Sequence, residues 1–155
     1  MRVVVPREIK EGEKRVALVP DVINKLTRLG LEVIVEAGAG VHSQATDADF
    51  STAGATIKQG DALAEADVVL SVQPLTPKQM ATLKKGAITI SFLSPVTAVD
   101  SIDAAAAAGV TAFSLELVPR ISRAQSMDAL TSQALCAGYR AAIVGAELSP
   151  RFFPM

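Results

Sequence analysis

The chain has no tryptophan, one tyrosine, one histidine and one cysteine in 155 residues, and aromatic residues make up only 4% of it. A lone cysteine builds neither an internal disulfide framework nor a cysteine-based zinc site, which fits a reducing compartment. His42 stands in a glycine-rich loop with no serine or cysteine partner near it in the sequence, so no nucleophilic triad is supported and no metal site is expected. It reads as a surface polar residue. Neither sign of charge dominates: 15 Lys+Arg against 16 Asp+Glu leave a net charge of −1. Nothing electrostatic therefore points to nucleic acid or to an anionic membrane surface. The most alanine-rich apolar run, within Val99–Phe113, is broken by Asp103, Gly109 and Thr111, and falls short of the ~20 residues a spanning helix needs. The opening Met1-Arg-Val-Val-Val-Pro6 begins a strand and shows no signal-peptide or transit-peptide pattern. P-loop, HExxH and Gly-x-Ser-x-Gly patterns are absent. In the only Gly-x-Gly, Gly38-Ala39-Gly40, Ser43 stands where the third glycine of a dinucleotide fingerprint would fall, so this segment reads as a turn.

Half the residues are apolar, which excludes global disorder. The length suits one domain with a real core. Short β-rich runs alternate with helical ones. Strands are expected at Arg2–Val5, Glu32–Val35, weakly near Thr56–Lys58, and at Asp67–Val72, Ala87–Leu93 and Val110–Leu115. Helices are expected at Asp21–Leu29, with Val22, Ile23, Leu26 and Leu29 on one side, and at Asp47–Ala53, Gly60–Ala66, Pro77–Lys85 and Ala98–Ala108. Continuous apolar strands separated by helices indicate a parallel sheet covered on both faces. The fold class is α/β: a doubly wound, mostly parallel, Rossmann-like (flavodoxin-like) sheet. A helix from about Ser126 to Glu147 has a mostly small apolar side through Met127, Leu130, Ala134, Ala137, Ala141 and Val144. Ser122-x-x-Gln125 fits a capping box just upstream. Such a helix either links to a second domain or packs back on the sheet. Cys136 within it reads as buried packing.

In this fold class ligands sit beyond the carboxyl ends of the strands. Two segments there carry chemistry. Lys10-Glu-Gly-Glu-Lys-Arg-Val-Ala-Leu-Val-Pro20 follows the first strand, and its Arg15 abuts an apolar stretch. That residue either holds a carboxylate or phosphate through its guanidinium fork or serves the structure. The second is Pro119-Arg-Ile-Ser-Arg-Ala-Gln-Ser-Met-Asp128 with its continuation to Gln133. Gln125, Asp128 and Ser132 stand at i, i+3 and i+7, the spacing of one helix face, with Thr131 beside them and Arg120 and Arg123 before them. Amide, carboxylate, hydroxyl and guanidinium together suit a ligand with hydroxyls and a carboxamide. Ordinary helix capping accounts for the same residues equally well.

These residues, with Ser132-Gln133 and Ala137-Gly-Tyr-Arg-Ala141, resemble the NAD(H)-binding α subunit (domain I) of proton-translocating NAD(P) transhydrogenases. Lys10–Pro20, Glu36-Ala-Gly-Ala-Gly40 and Ser91-Phe-Leu-Ser-Pro95 match that family in the same order. The resemblance implies two Rossmann-like subdomains joined by long helices, with an Arg-Gln-Asp loop against the nicotinamide of NAD(H). Carried over, that loop is Arg120, Gln125 and Asp128, with Thr131 where the family usually has serine. The cofactor-binding set expected is Arg120, Gln125, Ser126, Met127, Asp128, Thr131 and Ser132. Hydride then passes directly to NADP+ on a partner subunit, with no side chain taking a proton. Proton pumping belongs to membrane-embedded partners. A homodimer, and a cytoplasmic location peripheral to the inner membrane, are implied.

Alanine dehydrogenases are related. Their pocket uses a lysine and a histidine whose positions fall here at Gln73 and Ser94, which offer no proton carrier. An amino-acid dehydrogenase, or a non-catalytic dimerisation module, is the alternative. The expected organisation is a Rossmann-like subdomain over 1–125, a linking helix over 126–147, and the start of an interrupted continuation over 148–155. On that reading the adenosine and pyrophosphate site lies elsewhere, and the isolated chain binds NADH weakly or not at all.

Overall fold

The structure is a computed structural model and describes residues 1–152. The expected continuation over 148–155 falls in part on Phe153, Pro154 and Met155, which lie outside the described residues.

The chain divides into two compact units, Met1–Ser114 and the segment from Leu115 onward. The first holds a six-stranded sheet: β1 (Arg2–Val5), β2 (Glu32–Glu36), β3 (Thr56–Lys58), β4 (Val68–Leu70), β5 (Ile88–Ser91) and β6 (Thr111–Ser114). The order is β3-β2-β1-β4-β5-β6, and each neighbouring pair is parallel. Of the two common doubly wound orders this is the Rossmann one, and its direction reverses between β1 and β4.

Four helices connect the strands: α1 (Pro20–Arg28), α2 (Asp47–Thr52), α3 (Pro77–Met80) and α4 (Val99–Ala108). Alternation along each strand splits the core into two faces. Val4, Ile34 and Val69 pack with Met80, Leu83 and Ala105 on one face. Val5, Val33 and Val35 pack with Ile23 and Phe50 on the other. Gly40 is fixed by this second cluster. A Cβ there would stand 2.5 Å from the Phe50 ring and 2.6 Å from the Ala45 carbonyl oxygen. Its glycine therefore answers a close approach of α2.

Several elements are shorter than the pattern suggests. Of Gly60–Ala66 only a 3-10 turn forms, Leu63–Glu65. The helix expected to run to Lys85 ends at Met80, after a capping box between Thr76 and Gln79. Strand β4 does not reach Val72, whose N–H is taken by the Glu8 carboxylate. Leu29, expected on the buried side of its helix, is the C-cap of α1 and 76% exposed.

The second unit contains 3-10 turns at Leu115–Leu117 and Ser122–Met127, then helix α5 (Ala129–Leu148). This corrects the expected capping box. Ser122 is already inside the 3-10 turn, Ile121 precedes it without a side-chain cap, and the cap of α5 is Asp128. Gln125 consequently does not share a helix face with Asp128 and Ser132. No position of α5 is buried, so Cys136, expected to be packed, is exposed. Among the described residues no helix is long and apolar enough to cross a membrane.

Candidate functional site

The first place to look is the reversal point between β1 and β4. The turn after β1 sends Glu8 across to the loop after β4. Its carboxylate accepts the N–H groups of Val72 at 2.5 Å and Gln73 at 3.2 Å. Burial raises the Glu8 carboxyl above the ordinary glutamate value, although both N–H bonds pull it down. Beside it, Glu13 accepts from Arg15 Nε at 2.8 Å and from the far guanidinium nitrogen at 2.7 Å. Gln73 Nε2 donates to the same carboxylate at 2.6 Å, and Lys10 Nζ donates to Gln73 Oε1 at 3.1 Å. The Glu13 side chain is only 6% exposed. The Arg15 side-chain bond, first among the causes, holds its carboxyl down to about 2. Arg15 also lies 5.9 Å from the centre of the Phe92 ring, within cation–π range.

This network settles what the crevice can do. Backbone N–H groups past the end of a strand are where the fold class holds a phosphate. Here Glu8 occupies them, and a second anion would meet its charge. Arg15 is engaged by Glu13 in a fork, and Gln73 ties the two loops together. A cleft of about 440 Å³ remains over Arg7, Lys14 and His42, and one of about 360 Å³ over Ile9, Pro74 and Leu75. His42 is exposed, as its loop position suggests. The largest groove, about 670 Å³ along α1 and α2, contains none of the residues singled out from the sequence.

The second place is the segment from Arg120 to Ser132. Arg120, Arg123, Gln125, Ser126 and Met127 are exposed, while Ala124 is buried and anchors the turn. Asp128 leaves helical geometry with φ −76 and ψ 83 and caps α5. Its Oδ1 accepts the Thr131 N–H at 2.9 Å, and its Oδ2 accepts the Thr131 hydroxyl at 2.6 Å. The Ser132 hydroxyl donates to the Asp128 carbonyl oxygen at 3.2 Å. The Asp128 carboxyl is lowered by the Thr131 hydroxyl first, then by the Thr131 N–H, with a smaller contribution from the Arg120 charge. The fold thus brings Asp128, Thr131 and Ser132 together and places Arg120 and Gln125 on the turns that lead into them. The roles of Glu8 and Gln73 do not follow from the sequence. A glutamate a few residues past a strand end is their only signal. Among the described residues no group of His, Cys, Asp and Glu could hold a metal ion.

A parallel sheet of Rossmann order, with its polar groups at the strand ends, defines a dinucleotide-fold protein of the α/β class. Residues 4–137 match the family described as alanine dehydrogenase/PNT, N-terminal domain, and the chain belongs to that family. It is 47% identical to the first of the polypeptides that make up the NAD(P) transhydrogenase alpha subunit of Rhodospirillum rubrum, over all of this chain and 42% of that protein. It is 38% identical to an alanine dehydrogenase of Mycobacterium tuberculosis, over 94% of this chain and 39% of that one. The crystal structure of a transhydrogenase from Sinorhizobium meliloti superposes with a TM-score of 0.94 at 40% identity, covering all of this chain and 47% of that one. The chain therefore spans less than half the length of these relatives.

Proposed function

We propose that the chain is the leading portion of the NAD(H)-binding component of a proton-translocating NAD(P) transhydrogenase, and that its Arg120–Ser132 segment positions the nicotinamide end of NADH. The observation that carries this reading is the Asp128 cap. A carboxylate held at both oxygens, with an exposed amide at Gln125 and an exposed guanidinium at Arg120 on the adjoining turns, matches the groups of a carboxamide and ribose. The residues fit that end of the cofactor. They do not fit its pyrophosphate, because Glu8 fills the N–H groups at the reversal point. The pyrophosphate and adenosine are then held by the regions that the longer relatives carry.

When bound, the reduced nicotinamide supplies a hydride to NADP+ on a partner subunit, so NADH becomes NAD+ and NADPH forms. The chain's residues need not take a proton at this step. Their work is to fix the ring for a near-attack approach, about 3–3.5 Å between reacting carbons, and to keep water out. Within this reading, residues 1–125 form the Rossmann-like subdomain and 126–147 the helix that links it onward. The partners are membrane-embedded and NADP(H)-binding subunits and a second copy of the same component. The location is cytoplasmic, at the inner membrane through those partners.

The test is hydride transfer from NADH to NADP+ in the assembled transhydrogenase carrying Arg120→Ala or Asp128→Asn. Loss of transfer with an unchanged melting midpoint is expected, and full transfer by both variants would remove the reading. The second reading, an amino-acid dehydrogenase, is favoured by the 38% identity to an alanine dehydrogenase. Gln73 and Ser94 argue against it. Alanine-dependent formation of NADH decides it.

A further inference from the structure

We infer that Thr131 is a positioning residue: it fixes the Asp128 carboxylate so that this edge of the site presents hydrogen-bond acceptors only, and so selects a donor group such as a carboxamide NH2 or a sugar hydroxyl. The inference rests on the nicotinamide-positioning reading of the Arg120–Ser132 segment and names what that site recognises.

The argument is one of proton accounting. The Thr131 hydroxyl has one hydrogen, and it goes to Asp128 Oδ2 at 2.6 Å. The Thr131 N–H goes to Oδ1 at 2.9 Å. Neither group has a proton left to offer a ligand, while the hydroxyl oxygen and both carboxylate oxygens keep lone pairs. The Ser132 hydroxyl proton is likewise directed to the Asp128 carbonyl oxygen at 3.2 Å. The hydroxyls nearest the helix start thus turn their protons inward onto Asp128. A ligand carboxylate or phosphate approaching this edge meets only acceptors and a negative charge. A donor meets a ready bond.

Thr131 suits this task better than an unbranched hydroxyl would. Its β-methyl restricts χ1, so the hydroxyl stays aimed at Asp128 rather than swinging to the preceding carbonyls of the turn. Two bonds from one residue also orient the carboxylate plane, which a single N–H cap leaves free to rotate. Asp128 is exposed enough to receive a ligand and is held to one orientation before the ligand arrives. This is preorganisation, which lowers the ordering cost at binding.

The experiment compares the chain with its Thr131→Ser, Thr131→Val and Asp128→Asn variants. The Asp128 side-chain carboxyl is titrated by carbon NMR without ligand, and NADH is then titrated to millimolar concentration by amide shifts. Thr131→Val keeps the N–H cap, so the fold is retained, and Thr131→Ser checks that the hydroxyl is what matters. The Asp128 carboxyl is expected to titrate at higher pH in Thr131→Val and near the parent value in Thr131→Ser. NADH affinity is expected to fall about tenfold in Thr131→Val, with Thr131→Ser close to the parent. In the parent, the analogue bearing a carboxylate in place of the carboxamide is expected to bind at least about tenfold more weakly than NADH. That gap should narrow in Asp128→Asn. An unmoved Asp128 titration in Thr131→Val overturns the inference. So does weakened NADH binding without that movement, which would make the hydroxyl a direct ligand contact. If Asp128→Asn binds NADH as the parent does, or the parent shows no shifts in this segment, the site reading fails instead. The titration of Asp128 then still decides whether Thr131 holds it.

Discussion

Two clusters of polar side chains follow strand ends in this chain, and they spend their hydrogen bonds differently. At the reversal point, Glu8, Glu13, Arg15 and Gln73 turn toward each other and toward the backbone, and the Glu13 side chain is nearly buried. In the Arg120–Ser132 segment only Asp128 is tied down, and Arg120 and Gln125 face solvent. The first arrangement is that of a structural clasp. Its groups satisfy one another, so removing one leaves a partner unpaired. The second holds one carboxylate in place and keeps the remaining groups available. Family membership alone does not separate the two, because both clusters lie within the matched residues 4–137.

The contrast breaks or sharpens under substitution. The largest effect is expected on hydride transfer in the assembled enzyme. Arg120→Ala and Asp128→Asn should each slow it about 100-fold by loosening the near-attack geometry, with melting midpoints unchanged. Stopped-flow absorbance and thermal unfolding measured together check this. Next comes Glu8→Ala, which leaves the Val72 and Gln73 N–H groups without their acceptor. It should cost about 2 kcal/mol, or roughly 5 °C in midpoint, in thermal unfolding. Glu8→Gln should recover about half of that by keeping one acceptor oxygen.

Glu13 should give a smaller, pH-dependent effect. Its folded carboxyl titrates at about 2, below the ordinary 4.5. The stability it adds is therefore present above about pH 4.5 and lost as pH falls toward 2. Because Arg15 is 43% exposed, solvent screening reduces the contribution to about 1–2 kcal/mol. Urea unfolding of Glu13→Gln across this window should lack that slope. The smallest effect on the fold is expected from alkylating Cys136. Being exposed on α5, it should react at the rate of a free thiol without prior unfolding, and a rate limited by unfolding would contradict its exposure.

Much of this organisation is legible in the sequence. The apolar runs place all six strands, because strands covered on both faces carry no alternating polar positions to confuse the reading. Boundaries fail where a local bond outcompetes the pattern. Val72 has the residue type of a strand, yet Glu8, distant in sequence, takes its N–H and ends β4. Ser122 and Gln125 have the spacing of a capping box, but Asp128 and Thr131 have an equivalent spacing and form the cap. Two overlapping signals of one kind cannot be ranked by spacing alone. The clasp is half visible. Arg15 stands out as a charged residue beside an apolar stretch, while its partners Glu13 and Gln73 are brought to it only by the β1–β4 adjacency. Cys136 reads as buried because its neighbours are small and apolar, and no pattern in α5 marks which positions stay uncovered.

The central claim is that the nicotinamide end of NADH is met by the Arg120–Ser132 segment and not by the clasp at the reversal point. Amide shift mapping of the chain with NADH tests this directly. The account predicts weak, millimolar-range binding with shifts confined to Arg120–Ser132, and none at Glu8, Glu13, Arg15 or Gln73. Shifts centred on those four residues with Arg120–Ser132 silent, or micromolar binding by this chain, would contradict it.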